Sequence, residues 1–252
     1  MGQLEGRLAV VTGASEGIGL AIAQRFVAEG ADVVITGRSA EKLERALATL
    51  GPRARAVQGD AASVADVERL VADVRAAGRG VDVLVPNAGG GGNEHPLTEM
   101  TEEMFDRVAG LTYRAAYFTV QRMLPALNDG ATIVLIGSIS GANGDPGHAV
   151  YNASKAAVRS LARTFTSDLA HRGIRVNVVS PGPTESAGFG DFIGGGDPAL
   201  ADERRRSIAA AVPVGRIGDT REVAAAVLFL ASAESSFVAG AELVVDGGMS
   251  QV

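Results

Sequence analysis

Short apolar runs alternate with longer helical repeats along this chain, and this alternation limits the fold more than any other feature of the sequence. Between the runs, apolar residues recur three and four positions apart, which predicts helices. The continuous runs are typical of strands buried on both faces, as in a parallel sheet covered by helices. The predicted strands cover residues 8–12, 33–36, 54–58, 81–85, 132–136, 174–180 and 242–245, and the clearest predicted helices cover 18–29, 40–50, 64–77 and 105–127. The pattern therefore predicts an α/β fold, a doubly wound Rossmann-type parallel sheet of about seven strands with helices on both faces.

Composition and length narrow the possible partners. A length of 252 residues without a Pro/Ser-rich linker favours one domain over residues 1–252. A net charge of −6 argues against a nucleic-acid partner, which requires a basic surface. With no cysteine, and with His95, His148 and His171 far apart, the sequence predicts no metal site. It has no signal pattern and no apolar stretch of the ~18 residues that a membrane helix needs, which predicts a cytoplasmic protein without a membrane partner.

One segment, about 183–212, interrupts the alternation. It is rich in glycine up to residue 198 and ends in a predicted helix around 199–211. Long irregular segments in compact domains are usually functional or mobile. Two interpretations stay open: a substrate lid that places Phe189, Phe192 and Ile193 over a bound molecule, or an ordinary surface loop.

The first predicted strand ends in a glycine-rich turn that leads directly into a helix. Such a turn lets backbone N–H groups approach a pyrophosphate, and the positive end of the helix favours the anion. A plain tight turn is the alternative, but the position at the first strand–helix junction favours a dinucleotide site. The turn reads Thr12-Gly13-Ala14-Ser15-Glu16-Gly17-Ile18-Gly19.

Tyr151 and Lys155 lie four residues apart on a predicted helix and therefore share one face. A free tyrosine titrates near pH 10, but a nearby ammonium favours the phenolate and lowers the tyrosine pKa. Ser138 lies 13 residues upstream of Tyr151, at the end of a predicted strand. These residues are candidates for acid–base catalysis, and an exposed tyrosine beside a solvated lysine is the alternative.

Taken in order, these motifs resemble the short-chain dehydrogenases/reductases over nearly the whole chain, and most closely the 3-oxoacyl-thioester reductase and general ketoreductase branch. Each lies at the carboxyl end of a predicted strand or on the adjacent helix, where a parallel sheet forms its ligand crevice. The resemblance also includes Asn87-Ala88-Gly89, Pro181-Gly182 and Asp246-Gly247-Gly248.

The resemblance implies hydride transfer between a nicotinamide cofactor and a small carbonyl or alcohol substrate. Tyr151 would exchange the proton at the substrate oxygen and Ser138 would hold that oxygen, while Lys155 would tune Tyr151 and hold the nicotinamide ribose. Asn87 would line the ribose and Asp60 would contact the adenine. The full set of implied cofactor contacts is Gly13, Ser15, Gly17, Ile18, Gly19, Arg38, Ser39, Asp60, Ala61, Asn87, Gly89, Tyr151, Lys155, Pro181, Gly182 and Thr184. Each has an alternative role in a turn or cap.

The family is also commonly tetrameric at this length, which implies a homotetramer. Residues 237–249 resemble the segment that packs across subunits, and the predicted helix 105–127 and the helix of Tyr151 would pair with copies in a partner.

The sequence departs from the family pattern at two positions. Thr112 stands where the family has an asparagine in the proton relay behind the lysine, so it is the candidate for that catalytic role. A water or the hydroxyl would keep the relay, or activity would be reduced. Pro86 replaces a frequent asparagine, and residues 89–92 are four glycines, which would either be flexible or make room for a bulky substrate.

The residues after the second predicted strand indicate which cofactor binds. NAD enzymes of this fold usually have an acid there, whereas an arginine accommodates the 2′-phosphate of NADP. Gly37 takes the place of the acid, and Arg38 and Ser39 follow with phosphate-binding donors. Glu16 argues against NADP(H), because some NADP-preferring relatives have a basic residue at that position. The sequence favours NADP(H) over NAD(H), with a solvated Arg38 as the alternative.

Three functions therefore compete. The leading one is an NADP-dependent ketoreductase. The same site would serve an alcohol, sugar or steroid dehydrogenase. A non-catalytic dinucleotide-binding sensor is the third, and Thr112 is its motivation.

Overall fold

The computed structural model describes residues 2–90, 95–186 and 189–252, apart from the side chains of residues 191 and 192. Two features expected from the sequence therefore lie partly outside the described residues. In the run of four glycines these are Gly91 and Gly92, and in the expected lid they are Gly188 and the side chain of Phe192.

A seven-stranded parallel sheet forms the centre of the protein, as the sequence predicts. Its strand order is β3-β2-β1-β4-β5-β6-β9, so the chain winds outward first to one side of β1 and then to the other. In this register Val10 of β1 lies between Val34 of β2 and Leu84 of β4. The strands are β1 (Leu8–Val11), β2 (Asp32–Gly37), β3 (Ala54–Gln58), β4 (Val81–Val85), β5 (Leu127–Ile136), β6 (Arg175–Pro181) and β9 (Glu242–Val245), and a separate pair joins β7 (Thr184–Glu185) to β8 (Gly218–Asp219).

Helices cover both faces of the sheet and complete the doubly wound fold. On one face Phe26 of α1 and Leu230 of α9 lie in one fully buried apolar cluster. On the other face Met123 of α5 and Phe165 of α6 lie in a second buried cluster with Leu70 of α3. Burial of large apolar side chains on both faces supplies the main driving force for folding. The helices are α1 (Gly17–Ala28), α2 (Ala40–Leu50), α3 (Val64–Ala76), α4 (Glu102–Ala109), α5 (Ala115–Met123), α6 (Ala149–Leu169), α7 (Phe189–Gly194), α8 (Pro198–Ala211) and α9 (Thr220–Ala231).

The predicted helix 105–127 is wrong as a single regular element. A π-helical turn, Gly110–Arg114, separates α4 from α5, and a 3-10 turn at Leu124–Ala126 leads into β5. Pro125 in that turn has no N–H to continue the α-helical hydrogen bonds. The expected strand at 132–136 consequently starts earlier, at Leu127, although residues 128–130 are exposed.

The segment 183–212 is more regular than either sequence-based interpretation assumed. Its first part pairs as β7 with β8, and its remainder contains α7 and α8. Asp197 caps α8 by accepting hydrogen bonds from the N–H groups of Ala199 and Leu200, and Pro198 follows at the first helical position.

Among the described residues, no helix combines the length and apolar character required to cross a bilayer.

Candidate active site

A cleft of about 710 Å³ lies at the carboxyl ends of the central strands. It is lined by residues that directly follow β1, β4 and β5 and by the end of β6: Gly13, Asn87, Ser138 and Pro181. At this position the strand order reverses, because β2 pairs with one edge of β1 and β4 pairs with the other edge. The chain connections to β2 and to β4 therefore run in opposite directions from β1. Open α/β sheets bind their ligands at such a point.

Hydrogen bonds hold the glycine-rich turn against the residues that follow β4. The Nδ2 of Asn87 donates to the carbonyl oxygens of Thr12 and Gly13, at 3.0 and 2.9 Å. The backbone N–H of Ala88 donates to the Thr12 hydroxyl at 3.2 Å. A Cβ atom at Gly19 would lie 2.4 Å from the Gly13 carbonyl oxygen, so this packing requires glycine. Asn87 therefore shapes the loop in addition to lining the cleft.

Gly13 and Gly17 adopt φ values of +64° and +60°, a region that favours glycine. The turn leads into α1, whose N-cap residue, Glu16, makes no side-chain capping bond. The first N–H groups of α1 have no partner within the helix, which makes this end suited to a phosphate group. The donors and close backbone approaches of this turn fit a dinucleotide pyrophosphate.

At one end of the cleft, Arg38 is exposed. Within the part of the chain that the structure describes, its guanidinium has no carboxylate partner. Glu16 was the sequence feature that argued against NADP(H). Its carboxylate lies 2.8 Å from the Lys42 ammonium. Asp60 also lines this end and accepts a hydrogen bond from the Ala62 N–H at 2.9 Å.

Ser138, Tyr151 and Lys155 meet at the other end of the cleft. Burial raises the pKa of Tyr151, and a hydrogen bond from Ser138 opposes that rise without cancelling it. This direction is opposite to the lowering that the sequence led us to expect from a neighbouring lysine. The Lys155 ammonium lies 5.7 Å from the centre of the Tyr151 ring and donates to the Ile136 carbonyl oxygen at 2.9 Å. Burial lowers the pKa of Lys155 to about 8.

Three residues expected in the site do not line the cleft: Thr112, Ser39 and Ala61. The Thr112 side chain is buried in the π-helical turn, and its hydroxyl donates to the Val108 carbonyl oxygen at 2.7 Å. This hydroxyl is thereby directed back along its own helix, as threonine hydroxyls often are. The Ser39 hydroxyl caps α2 by accepting from the Lys42 N–H at 3.3 Å. The other residues expected from the sequence all line the cleft: Gly13, Ser15, Gly17, Ile18, Gly19, Arg38, Asp60, Asn87, Gly89, Ser138, Tyr151, Lys155, Pro181, Gly182 and Thr184.

Phe189 and Ile193, which the lid interpretation places over a bound molecule, line the cleft and form its apolar side. Ile208 and Met249 extend this apolar side, and neither was predicted to line the site. The loop before α6 supplies a polar side: Asn143, Asp145 and His148. The Nδ1 of His148 lies 3.0 Å from the Pro146 carbonyl oxygen. Proximity in sequence to Ser138 and Tyr151 was the only available signal for the polar side, and no motif marks it.

The turn after β9 anchors Met249. The Asp246 carboxylate accepts from the N–H groups of Gly248 and Ser250 and from the Ser250 hydroxyl, at 2.7–2.9 Å. Burial would raise the pKa of Asp246, but these hydrogen bonds outweigh burial and lower it. A Cβ at Gly182 would lie 2.6 Å from the Asp246 Cβ, so β6 and the segment after β9 meet closely beside the cleft.

Among the described residues, no group of three or more His, Cys, Asp or Glu side chains is arranged to hold a metal ion. The cleft brings together the backbone N–H groups of the glycine turn and, at its far end, a tyrosine, a serine and a lysine. A nicotinamide dinucleotide fits this set of groups.

Comparisons with known proteins agree with this geometry. The family model described as enoyl-(acyl carrier protein) reductase matches residues 13–250. The chain is 43% identical to oxidoreductase asL5 of Sarocladium schorii, over 99% of this chain and 98% of that protein. It is 36% identical to the hydroxynaphthalene reductase-like protein Arp2 of Metarhizium majus, over 97% of this chain and 95% of that one. A short-chain dehydrogenase/reductase (glucose/ribitol dehydrogenase) structure from Brucella melitensis superposes with a TM-score of 0.90 at 34% identity, covering 99% of both chains.

Proposed function

Because the chain belongs to the short-chain dehydrogenase/reductase family, whose members are oxidoreductases that bind a nicotinamide dinucleotide, we propose that it is an NADP-dependent ketoreductase. The observation that carries this proposal is the placement of Ser138, Tyr151 and Lys155 together at the catalytic end of the cleft. The reductase named among the relatives gives it further support.

The residues of the cleft have separable roles in this reaction. When bound, the nicotinamide supplies the hydride to the carbonyl carbon or accepts it from the alcohol. The turn at 13–19 would hold the pyrophosphate, with Arg38 at the 2′-phosphate and Asp60 near the adenine. Asn87, Gly89 and Lys155 would line the nicotinamide ribose, and Pro181, Gly182 and Thr184 the nicotinamide.

Tyr151 donates the proton in the reductive direction. Its raised pKa keeps the hydroxyl protonated at neutral pH, so it is ready to protonate the carbonyl oxygen that Ser138 holds. Oxidation of an alcohol would instead require the phenolate, which burial disfavours.

The charges at the adenine end support NADP(H) over NAD(H). The Arg38 guanidinium suits a phosphate, and the residues directly after β2, Arg38 and Ser39, include no acid to bind ribose hydroxyls. The Glu16 carboxylate is already paired with Lys42, so its repulsion of a 2′-phosphate is reduced.

The remaining expectations complete the proposal. The binding and catalytic residues belong to one domain, residues 1–252, with a lid at about 183–212 over the substrate. The protein forms a homotetramer and acts in the cytoplasm on a small molecule.

The experiment is to follow NADPH and NADH consumption against ketones, 3-oxoacyl thioesters and keto sugars, beside Tyr151→Phe and Arg38→Gln. We expect turnover that prefers NADPH and falls at least about 100-fold in Tyr151→Phe, because the proton donor is lost. Arg38→Gln should lose roughly tenfold or more of the preference for NADPH, since a charged hydrogen bond to phosphate is removed. Cofactor binding without turnover across the panel would refute the ketoreductase and favour the sensor.

A further inference from the structure

We propose that Asp145 makes the substrate end of the cleft select by charge, so that an uncharged ketone is preferred over one that carries a carboxylate near the reacting carbonyl. This inference rests on the proposed ketoreductase function and names the substrate class of the same site.

The placement of Asp145 is the first step. It lies in the loop between the turn that begins at Ser138 and α6, which carries Tyr151. Asp145 lines the same cleft as the apolar residues Phe189 and Ile193, and it is exposed. A substrate bound in this part of the cleft would therefore meet both apolar groups and a carboxylate.

The distribution of charge is the second step. Of the described residues that line the catalytic end, Asp145 and Lys155 are the ones with a formal charge. Lys155 is buried and donates to the Ile136 carbonyl oxygen, whereas Asp145 is exposed and forms no ion pair with a described cationic side chain. The guanidinium that lines the cleft, Arg38, lies at the adenine end. An anionic substituent on the substrate would therefore face an uncompensated negative charge.

The expected size of the effect follows from Coulomb's law. Two like charges about 6–8 Å apart at a solvent-exposed site repel enough to change affinity by roughly two- to fivefold, and salt reduces the change. An uncharged substituent with a hydrogen-bond donor has no such repulsion and can donate to the carboxylate.

A matched pair of probes tests this directly: 3-oxocyclohexane-1-carboxamide and 3-oxocyclohexane-1-carboxylate, which have the same ring and ketone and differ in charge. Dissociation constants would be measured with the protein loaded with NADP⁺, and kcat/KM with NADPH, at low and high ionic strength. We expect the wild type to prefer the amide, and Asp145→Asn to reduce that preference by about threefold. Asp145→Lys should reduce it further or reverse it, and salt should narrow the difference in the wild type.

Asp168→Asn is the matched control, because Asp168 is an exposed carboxylate near the far end of α6, the helix that carries Tyr151. It removes the same net charge and should leave the amide preference unchanged. Any one of three results would overturn the assignment. These are an equal amide preference in the wild type and Asp145→Asn, equal binding of both probes by the wild type, and binding of neither probe. If the probes bind selectively but neither is reduced, the charge selection stands and the proposed ketoreductase activity fails for this ring.

Discussion

Lys155 occupies an unusual position for an ammonium group, since it is buried and its Nζ donates to a backbone carbonyl oxygen, that of Ile136, at 2.9 Å. Transfer from water to a buried site disfavours the charged form, which is why the pKa falls to about 8. Tyr151 is affected in the opposite direction by the same cause, because burial disfavours its phenolate. The two shifts favour the neutral forms of both groups, and a proton donor is therefore held ready at neutral pH.

The pH dependence of reduction should show the Lys155 pKa. In the proposed reaction, the ammonium present below about pH 8 would stabilise the phenolate that forms as Tyr151 gives up its proton. Above about pH 8 that charge is lost, so kcat/KM for reduction should decline by up to tenfold per pH unit while Tyr151 is still protonated.

Lys155→Arg is the informative variant for this measurement, because its guanidinium keeps its charge at high pH. The decline near pH 8 should be absent from its profile, whatever its absolute rate. A decline at the same pH in both proteins would show that another group controls it.

At the scale of elements, side-chain contacts join the parts of the proposed lid to one another. Arg205 of α8 contacts Glu185 of β7 through two nitrogens, both at 3.1 Å, beside Thr184 in the cleft. The Nη1 of Arg204 donates to the Ile193 carbonyl oxygen at 2.9 Å, which joins α8 to α7. Because these contacts tie α8 to both neighbours, the position of the apolar side of the cleft depends on them.

Glu185→Gln should loosen this attachment. A partly exposed ion pair contributes about 0.2–1 kcal/mol, so the lid equilibrium should shift by roughly two- to fivefold and KM for the carbonyl substrate should rise by a similar factor. Steady-state kinetics at saturating NADPH measures this change.

Asp202→Asn serves as the comparison for Glu185→Gln, because Asp202 contacts the same Arg205 at 2.9 Å but lies on α8 itself. Removing it leaves α8 attached to β7, so KM should stay close to the wild-type value. Equal increases in both variants would mean that the charge of Arg205 matters and its attachment to β7 does not.

Sequence patterns predicted the strands and the glycine turn well, because each of these elements has one strong local signal in the sequence. The buried strands were found because a continuous apolar run of four to seven residues between helical repeats fits a strand covered on both faces. The glycine turn was found because its backbone geometry requires those residues. The break in the predicted helix 105–127 was missed because the apolar spacing continues through the π-helical turn Gly110–Arg114, so periodicity alone does not mark it. The raised pKa of Tyr151 was missed for a related reason: spacing places a lysine nearby, but only the fold determines how deeply both groups are buried.

At the scale of the whole molecule, the proposed homotetramer would account for the exposed apolar side chain near the end of the sheet. Phe237 is fully exposed in the single chain and precedes β9 in the segment expected to pack across subunits. A single exposed apolar side chain is ordinary on a protein surface, so the support comes from the position of Phe237 in that segment.

Phe237→Glu should therefore weaken assembly. A charge buried at an interface carries a large desolvation cost, so the tetramer should dissociate to smaller species at micromolar concentration, as measured by light scattering. Leu97→Glu is the comparison, since Leu97 is 84% exposed and lies outside the segment. A wild type that is monomeric, or a Phe237→Glu variant that stays tetrameric, would contradict this interface.

The pairing of β6 with β9 has a consequence for biosynthesis. Residues 182–241 separate these two neighbouring strands, so a ribosome completes the first six strands of the sheet well before β9 exists. During that interval the side of β6 that faces away from β5 is an open edge, where the Val178 N–H lacks its partner, the Ala241 carbonyl oxygen, and such an edge readily pairs with another nascent chain. Translation speed between these codons, and chaperone access to the nascent chain, should therefore govern the yield of folded protein.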